Sequence, residues 1–425
     1  MTNPLAVGLD FGTSGARCCV IEAGSSSPTV LFSSRHAFFA PRAQTPQHWS
    51  DALAELLFAI PLPLRARLQH AAICATSGTV LFADRDLQPV GPALPYFDNR
   101  AESIAQRLRQ QLPPPAQVDA LARFAWLWQE LERHALAGRA AHAMHQADWI
   151  AAQLLRRAPA TDWHNALKSG ADVAAGEWPA AVTGLPFAGL LPPIVAPGAD
   201  LAAIDPAAAR HFGLPATLRI HAGTTDANAA FLATGACRPG QAVTSLGSTL
   251  SLKLLSTCRV AAPAFGVYSH RWGDLWLASG ASNAGGAVLR ALFSDAMIAA
   301  LSARIDPETD SSLDLYPLPG RGERFPINDP EMAPRLAPRL ADDAAYLHGL
   351  LQGLARIEAA GYSRLVELGA TPPTEILSAG GGARNPVYAR LRARAAGLPV
   401  RQAACTEASY GAACLALHAS VECAG

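Results

Sequence analysis

The sequence predicts an α/β protein built from two related halves. Half of its 425 residues are hydrophobic, which is enough to fill two cores. Apolar runs typical of strands alternate along the chain with segments of helical periodicity. Two turns of glycine and hydroxyl residues, at 12–14 and 247–249, each join two apolar runs and lie about half a chain apart. This spacing indicates an internal repeat.

The first turn lies in the stretch 7–17, where an apolar strand ends near Asp10 and a second apolar run follows. Its glycines allow backbone N–H groups to converge on an anion, and Thr13 and Ser14 add hydroxyl donors. Asp10 would repel a phosphate unless a divalent cation lay between them, so the stretch predicts a phosphate site with Mg²⁺. An ordinary glycine-rich hairpin with an exposed aspartate explains the same residues.

The charged residues argue against two classes of partner. There are 34 basic and 34 acidic residues, so no overall field attracts nucleic acid or an anionic membrane, and we expect neither as a partner. Only Lys168 and Lys253 are lysines, and neither follows a glycine. The P-loop signature is therefore absent, and a nucleotide would have to be held by another fold.

The eight cysteines show no paired C-x-x-C spacing and lie mostly among apolar neighbours. This pattern favours buried reduced thiols over disulfides or a zinc site. The N-terminus lacks a basic region, and no uninterrupted apolar span is long enough to cross a bilayer. We therefore expect a cytoplasmic protein, present as a monomer or a homodimer.

The first half of the chain contains a buried strand with a polar interruption. A strand over 29–33 and a helix over 49–62 follow the opening hairpin, and a second buried strand is predicted over 71–82. The sequence Thr-Ser-Gly-Thr at 76–79 interrupts that strand. Such a break indicates a loop at a functional site.

A carboxylate and a guanidinium, Asp98 and Arg100, stand two residues apart in the next segment. A solvated surface turn explains this pair as well as a binding site does, because surface ion pairs are plentiful. Residues 101–155 are predicted to be mostly helical. The proline- and glycine-rich segment 171–205 is predicted to be an extended connection across the surface.

The second half begins with a strand over 218–222, a Gly-Thr-Thr turn at 223–225 and a helix that opens at Asp226. Asp226 thus falls in the first turn of the helix, where the helix dipole favours its ionised form. The last third contains a strand over 375–378, a glycine-rich run and a helix over 386–396. This order of strand, glycines and helix favours binding of an anion or a nucleotide.

The glycine-rich and acidic segments form an ordered series. They are Asp10-Phe11-Gly12-Thr13-Ser14, Gly223-Thr224-Thr225-Asp226, Gly247-Ser248-Thr249, Gly322-Glu323-Arg324 and Gly380-Gly381-Gly382-Ala383-Arg384-Asn385. In this order and spacing they resemble the motifs of the FGGY carbohydrate kinases over nearly the whole chain. The resemblance implies two actin-like ATPase domains of ribonuclease-H-like fold, with ATP and a sugar in the interdomain cleft. The implied sugar-side domain covers 1–232 and is completed by a C-terminal helix over 407–425, and the nucleotide-side domain covers 233–406.

The resemblance also implies a role for each matched residue. Asp226 matches the catalytic base that faces the sugar hydroxyl, and Asp10 matches the carboxylate that holds Mg²⁺. We expect both carboxylates to bind substrate and to hold the metal through water. The residues that match ATP-binding positions are Gly12, Thr13, Ser14, Gly247, Ser248, Thr249, Gly381, Gly382 and Asn385.

Departures from the family pattern indicate which sugar is the substrate. Typical xylulose kinases have Met-His-Gly where this chain has the segment 76–79, and most members are longer through the middle. Both features resemble the short D-ribulose kinase subgroup, once called pseudo sugar kinases, in which the residue at the Ser77 position touches the sugar. Asp98 and Arg100 resemble the W-x-D-x-R sugar loop of the longer xylulose kinases, with Tyr96 in place of tryptophan.

The expected function is ATP-dependent phosphorylation of a free ketopentose, with D-ribulose converted to D-ribulose 5-phosphate and with ATP and Mg²⁺ as cofactors. Phosphoryl transfer requires alignment, charge neutralisation and a base, and two donor-rich turns and two carboxylates supply these parts. A D-xylulose kinase is the alternative enzyme. The alternative outside catalysis is a sugar- or nucleotide-binding regulator on the same scaffold.

Overall fold

The chain forms two compact units, one of which is inserted in the sequence of the other. Unit 1 comprises Met1–Ala233 and Cys405–Gly425, and unit 2 comprises Thr234–Ala404. The structure is a computed structural model, and it describes residues 3–24, 27–40, 43–112 and 117–417.

Strands and helices alternate along both units. The strands of the described residues are β1 (Leu5–Phe11), β2 (Gly15–Glu22), β3 (Thr29–Ala37), β4 (Leu68–Ala75), β5 (Val80–Ala83), β6 (His142–His145), β7 (Thr161–Asp162), β8 (Ile194–Val195), β9 (Asp200–Ala203), β10 (Arg219–Thr225), β11 (Gln241–Leu246), β12 (Leu250–Ser256), β13 (Tyr268–Trp272), β14 (Leu275–Ser282), β15 (Glu375–Ala379) and β16 (Val400–Gln402). The α-helices of the described residues are α1 (Pro46–Ala59), α2 (Leu62–Arg65), α3 (Glu102–Gln111), α4 (Asp119–Arg133), α5 (Gln146–Leu155), α6 (Trp163–Leu167), α7 (Ala180–Thr183), α8 (Pro206–Phe212), α9 (Asp226–Ala233), α10 (Gly286–Leu292), α11 (Asp295–Ser302), α12 (Asp343–Glu367), α13 (Pro386–Ala396) and α14 (Ala408–Ala416).

The main sheet of unit 1 has the strand order β3-β2-β1-β4-β10-β9. Strands β1, β4 and β10 are parallel, whereas β2, β3 and β9 pair antiparallel with their neighbours. Asp10 on β1 lies beside Cys74 on β4, and Cys74 lies beside Thr224 on β10. Parallel strands end at the same edge of a sheet, which is where α/β proteins bind ligands. Asp10 and Asp226, the residue after β10, therefore lie at one edge on either side of β4.

The two faces of this sheet are packed by different kinds of side chain. Large apolar residues such as Leu9, Trp49 and Ile150 are buried in the core that includes α1 and α5. The opposite face carries small residues, and helix α14 approaches it closely. A Cβ atom on Gly8 would lie 2.0 Å from the carbonyl oxygen of Ser409, so only glycine fits there. Helix α14 is therefore a structural layer of unit 1.

A second core in unit 1 lies between the antiparallel strand pair β5–β6 and helices α3 and α4. The rings of Phe82, Phe124 and Phe187 contact one another in it. Helix α4 turns Arg123 inward together with its apolar residues, and only 9% of Arg123 is exposed. This placement buries a guanidinium beside the polar break at 76–79.

The main sheet of unit 2 has the strand order β13-β14-β12-β11-β15-β16. The arrangement resembles that of unit 1. The hairpin β11–β12 pairs with the antiparallel strand β14 on one side, and the parallel strands β15 and β16 lie on the other side, beside β11. Leu350 and Leu354 of the long helix α12 share one buried core with Leu252 of β12. These two mixed sheets confirm the predicted α/β fold of two related halves.

Two predicted elements differ in the structure. The strand predicted over 71–82 is divided into β4 and β5, which belong to different sheets because the chain turns at 76–79. The segment 171–205, predicted as an extended connection, contains β9 at the edge of the unit 1 sheet. Its flanking prolines and glycines confine this strand to four residues, a length typical of an edge strand.

The cysteines and the C-terminal helix also require correction. Cys237 is disulfide-bonded, contrary to the expectation of reduced thiols, and nothing in its sequence neighbourhood explains this. The free thiols of the described residues are Cys18, Cys19, Cys74, Cys258, Cys405 and Cys414. The helix predicted over 407–425 begins at Ala408 and ends at Ala416, and residues 418–425 lie outside the described residues. Every described helix is too short or too polar to span a lipid bilayer.

Candidate active site

Asp10 is a buried carboxylate at the end of β1, with 4% of the residue exposed. Its Oδ2 atom lies 3.3 Å from a guanidinium nitrogen of Arg17, and its Oδ1 atom accepts a hydrogen bond from the Cys74 thiol at 3.7 Å. Burial raises the pKa of Asp10, and the Arg17 guanidinium opposes that rise. The orientation of this carboxylate is therefore set by contacts from both neighbouring strands.

Asp226 begins helix α9 and is partly exposed. Its Oδ1 atom accepts a hydrogen bond of 2.7 Å from the backbone N–H of Ala227, and the positive end of the helix dipole favours the ionised form. Burial raises the pKa of the Cys74 thiol, and the charges of both Asp10 and Asp226 raise it further. The two predicted acids therefore act on one thiol from the strands on either side.

The turn 12–14 is fixed from outside by a side chain that the sequence analysis missed. The backbone N–H of Gly12 donates to the Gly15 carbonyl at 3.0 Å. The Gln44 amide donates to the carbonyls of Gly12 and Thr13 at 3.3 and 2.5 Å, and its own oxygen accepts from the Trp49 indole at 2.8 Å. These contacts engage the carbonyl groups of the turn. The hydroxyl-bearing residue Ser14 is exposed.

The turn 76–79 combines a filled hydrogen-bond network with one unpartnered hydroxyl. Gln146 accepts hydrogen bonds from the Thr76 backbone N–H and hydroxyl at 3.2 and 2.5 Å, and the hydroxyls of Thr76 and Thr79 lie 2.6 Å apart. The Ser77 Oγ atom is also buried, and it has no hydrogen-bond partner among the described residues. A buried hydroxyl without a partner is costly unless a ligand supplies one.

Arg123 joins this turn to the loop at 95–98. Its guanidinium donates to the carbonyls of Gly78 at 3.2 Å and Asp98 at 3.4 Å, and it also donates to the Tyr96 carbonyl. Burial lowers the pKa of this guanidinium. One buried cation thus holds two loops together through their backbone.

Asp98 and Arg100 form an ion pair at the surface. Their spacing is explained equally well by a solvated surface turn and by a binding site. The Arg100 guanidinium donates to both carboxylate oxygens of Asp98, with a shortest distance of 2.6 Å, and lies 4.6 Å from the centre of the Trp126 ring. Hydrogen bonding from Arg100 lowers the pKa of Asp98. Half of the Arg100 side chain is exposed, so the pair is accessible to a ligand.

Unit 2 contains a cavity of about 420 Å³ bordered by both of its glycine turns. A cavity of this size accommodates a nucleoside-sized ligand. Gly247, Gly381, Gly382 and Asn385 line it. Gly382 is required by close packing, because a Cβ atom there would lie 2.9 Å from the Leu246 Cβ atom.

The exposed residues Ser248 and Thr249 complete the turn that begins at Gly247. The Gly247 backbone N–H donates to the Thr249 carbonyl at 3.3 Å, and the Ser248 hydroxyl accepts from Arg290 at 2.9 Å. Arg290 also lines the cavity, and it was not among the residues predicted from the sequence. It brings a positive charge to the turn whose residues were predicted to bind ATP.

Asn385 forms part of the cavity wall as a helix cap. Its side-chain oxygen accepts from the Tyr388 backbone N–H at 3.1 Å, and its amide donates to the Ser302 hydroxyl at 2.8 Å. These bonds fix the first turn of α13. The predicted ATP-binding residue therefore lines the cavity and fixes the start of α13, whose Tyr388 also lines it.

The strands that carry the two glycine turns of unit 2 are joined by a buried ion pair. Thr244 and Ser378 lie side by side on β11 and β15. Arg392 donates to Ser378 at 2.6 Å and to Glu358 at 2.5 Å, and Glu358 accepts from the Thr244 hydroxyl. This network ties the two strands together near the ends that lead to the glycine turns.

Solved sugar kinases share this fold. The crystal structure of xylulose kinase from Rhodospirillum rubrum has a TM-score of 0.82 at 22% identity, covering 99% of this chain and 91% of that one. The structure of Plasmodium falciparum glycerol kinase with ADP has a TM-score of 0.81 at 14% identity, covering 97% and 89%. The two-unit architecture is therefore the actin-like fold of sugar kinases.

Two sequence comparisons find similarity to carbohydrate kinases. Residues 244–420 match the C-terminal domain of the FGGY family of carbohydrate kinases. A xylulose kinase of Streptomyces coelicolor is 28% identical over 431 residues, covering 94% of this chain and 84% of the relative. Residues 244–420 thus match the C-terminal domain of this family, and the chain is similar to an ATP-dependent sugar kinase over most of its length. This confirms the predicted class of enzyme, while the assignment to the short D-ribulose subgroup stays a prediction.

Proposed function

We propose that the protein phosphorylates D-ribulose with ATP and forms D-ribulose 5-phosphate. The observation that supports this substrate is the Ser77 hydroxyl, which is buried without a partner. Ser77 follows β4, the strand between those that lead to Asp10 and Asp226. A short hydroxyl side chain at this point leaves room for a sugar and supplies one hydrogen bond to it.

Asp226 is the proposed general base. Its position in the first turn of α9 favours the ionised carboxylate, and its partial exposure leaves it accessible to a hydroxyl. It accepts the proton of the terminal sugar hydroxyl as the oxygen attacks the γ-phosphorus. A new O–P bond then forms, the bond from the γ-phosphorus to its bridging oxygen breaks, and ADP leaves with that oxygen.

The cavity of unit 2 is proposed to hold the adenosine of ATP, with the phosphates at the turn 247–249. The cavity volume suits a nucleoside, and the turn offers exposed hydroxyl groups beside the Arg290 guanidinium. In unit 1 the exposed residues of the turn 12–14 are proposed to contact the transferred phosphate.

Mg²⁺ is the proposed cofactor, and the available donors suit a metal delivered with ATP. No group of three or more His, Cys, Asp or Glu side chains among the described residues is arranged to hold a metal ion. Magnesium bound to nucleotide phosphates requires only one or two protein carboxylates, through water where necessary. Asp10 and Asp226 fit that requirement at the sheet edge. When bound, Mg²⁺ neutralises charge on the phosphates.

D-xylulose is the second candidate substrate. The curated relative from Streptomyces coelicolor is a xylulose kinase. The accessible Asp98–Arg100 pair is in agreement with that reading, because it has the spacing of a sugar-binding loop of longer xylulose kinases. The two candidates differ in the configuration at a single hydroxyl-bearing carbon, so they compete for one site.

The test is ADP release in a coupled assay with D-ribulose, D-xylulose, L-ribulose, ribitol and glycerol at matched concentrations. We expect the highest kcat/KM for D-ribulose, with Asp226→Ala as the blank for sugar-independent ATP hydrolysis. A higher kcat/KM for D-xylulose would reassign the substrate. Turnover no greater than the blank for every ketose would refute the proposal. The position of the phosphate is read from phosphorus–proton couplings of the product.

A further inference from the structure

The turn 247–249 is held by the backbone of a neighbouring segment, residues 284–287. Gly286 donates its N–H to the Gly247 carbonyl at 2.9 Å, and Ala287 donates to the Ser248 carbonyl at 3.1 Å. A Cβ atom on Gly286 would lie 2.7 Å from the Gly247 oxygen, so the two backbones meet at the closest distance that glycine permits. The position of the turn is therefore tied to the position of this segment.

Glu323 fixes the start of that segment. It is 2% exposed, its Oε2 atom accepts from the Ser282 hydroxyl at 2.5 Å, and its Oε1 atom accepts from the Asn283 backbone N–H at 2.8 Å. The Ser282 hydroxyl in turn accepts from the Ala284 N–H at 3.0 Å. The carboxylate thus organises the residues immediately before those that contact the turn.

The other contacts of Glu323 are with residues that lie close to it in the sequence. Its Oε2 atom accepts from the Tyr316 hydroxyl at 3.0 Å, and its Oε1 atom accepts from the Arg324 backbone N–H at 2.9 Å. A buried carboxylate is stable only when donors surround it, and here each oxygen has at least two. The two hydroxyls on Oε2 therefore form a natural comparison, because Ser282 leads to the turn and Tyr316 does not.

We propose that Glu323 is a positioning residue for the phosphates of ATP. It fixes residues 282–284, whose continuation holds the turn 247–249 by backbone hydrogen bonds. The inference rests on the proposed function only in assigning the phosphates to that turn. It gives a role to the Gly322-Glu323-Arg324 motif, which the catalytic proposal leaves unused.

The test compares Ser282→Ala with Tyr316→Phe. Each variant removes one hydroxyl donor from the same carboxylate oxygen, so both are expected to lower Tm. We expect Ser282→Ala to raise the KM for ATP about tenfold, the effect of one lost hydrogen bond to a charged group. Tyr316→Phe should keep that KM within about twofold of the wild type. The KM for the ketose should be unchanged in both variants.

Substitution of Glu323 itself provides a rescue experiment. In Glu323→Gln the amide oxygen still accepts from Asn283, and the amide nitrogen donates to the two hydroxyls, which are able to accept. The KM for ATP should therefore rise less in Glu323→Gln than in Glu323→Ala. If Glu323→Ala fails to fold, the comparison of Ser282→Ala with Tyr316→Phe decides.

Dissociation constants for ATP, measured by calorimetry without sugar, make the result independent of the ketose assignment. Equal effects of Ser282→Ala and Tyr316→Phe on ATP affinity, or no effect of Ser282→Ala, would overturn this inference alone. Failure of the wild type to bind ATP would overturn the nucleotide site and this inference together. An equal rise in the ketose KM would indicate general damage and would also overturn it.

Discussion

Two regions of the candidate site are held by buried side chains of opposite charge type, a guanidinium and a carboxylate. In unit 1, the Arg123 guanidinium donates to three backbone carbonyls of the turn 76–79 and the loop 95–98. In unit 2, the Glu323 carboxylate accepts from hydroxyl and N–H donors of the segment that contacts the turn 247–249. The carbonyl groups of unit 1 require a hydrogen-bond donor, which the guanidinium supplies. The hydroxyl and N–H groups of unit 2 require an acceptor, which the carboxylate supplies.

The difference explains what each loop leaves available for a ligand. A cation behind the loops of unit 1 engages carbonyls, and the Ser77 hydroxyl is left unpartnered. In unit 2 the Glu323 carboxylate engages N–H and hydroxyl groups of the segment 282–284. The hydroxyl residues of the turn 247–249 are exposed. The first arrangement suits a polyhydroxylated substrate, and the second suits a phosphate chain. Each side chain reaches its loop from a distant part of the sequence.

The largest effect is expected from Asp226→Ala, which separates the chemistry of unit 1 from nucleotide binding in unit 2. Removal of a general base costs about 10²- to 10⁴-fold in rate, so kcat for sugar-dependent ADP release should fall by about that factor. The ATP dissociation constant should stay unchanged. Asp205→Asn, at the cap of α8, is the matched control and should retain full kcat. Near wild-type turnover in Asp226→Ala would remove this residue from the mechanism.

Arg123→Met should raise the KM for the ketose by about tenfold or more, because buried carbonyls of both loops lose their donor. The ATP KM should not change, which is the opposite of the pattern expected for Ser282→Ala. Arg123→Lys retains the charge but loses the planar fork, so its effect should be intermediate. Arg109→Met removes an exposed, ion-paired arginine and serves as the control. A rise in the ATP KM of Arg123→Met would contradict the separation of the two loops.

Ser77→Ala should raise the KM for the ketose about fivefold and leave kcat nearly unchanged, as expected for loss of one ground-state hydrogen bond. Because the Ser77 Oγ atom has no partner among the described residues, its removal should not lower Tm. Thr183→Ala on helix α7 is a control for the loss of an exposed hydroxyl. An unchanged ketose KM would exclude Ser77 from the sugar site.

The smallest effect is expected from Arg17→Met, measured in the pH dependence of kcat/KM. Burial raises the pKa of Asp10 and Arg17 lowers it, so removal of the guanidinium should raise that pKa further. If activity requires ionised Asp10, the acid limb of the profile moves to higher pH. Arg17→Lys retains a cation and should move it less. Identical acid limbs in all three proteins would show that Asp10 ionisation does not limit the reaction.

The glycine turns and the two acids were predictable from sequence because their signals are local. A strand that ends in glycine and hydroxyl residues reveals the turns at 12–14 and 247–249 within a few positions. The residues that hold these turns give no such signal. Arg123 lies 45 positions from Gly78, and Glu323 lies 41 positions from Ser282, so their contacts depend on the tertiary fold.

Arg123 did leave a trace in the sequence. It lies on the buried stripe of helix α4, three residues after Ala120 and four before Leu127, where an apolar residue is expected. An ionised residue in such a stripe indicates a buried polar partner. Gln44 and Gln146 had no comparable signal, because a lone glutamine near a turn or a helix start is common.

Helix α14 has a consequence for the way the chain is made. It covers Ala6, Cys19 and Ala72 on one face of the unit 1 sheet, yet it follows all of unit 2 in the sequence. During translation this face stays bare until the ribosome has synthesised unit 2. A fragment that ends at residue 233 would keep it bare permanently. A soluble N-terminal fragment therefore requires residues 405–417 to be reattached, for example by circular permutation.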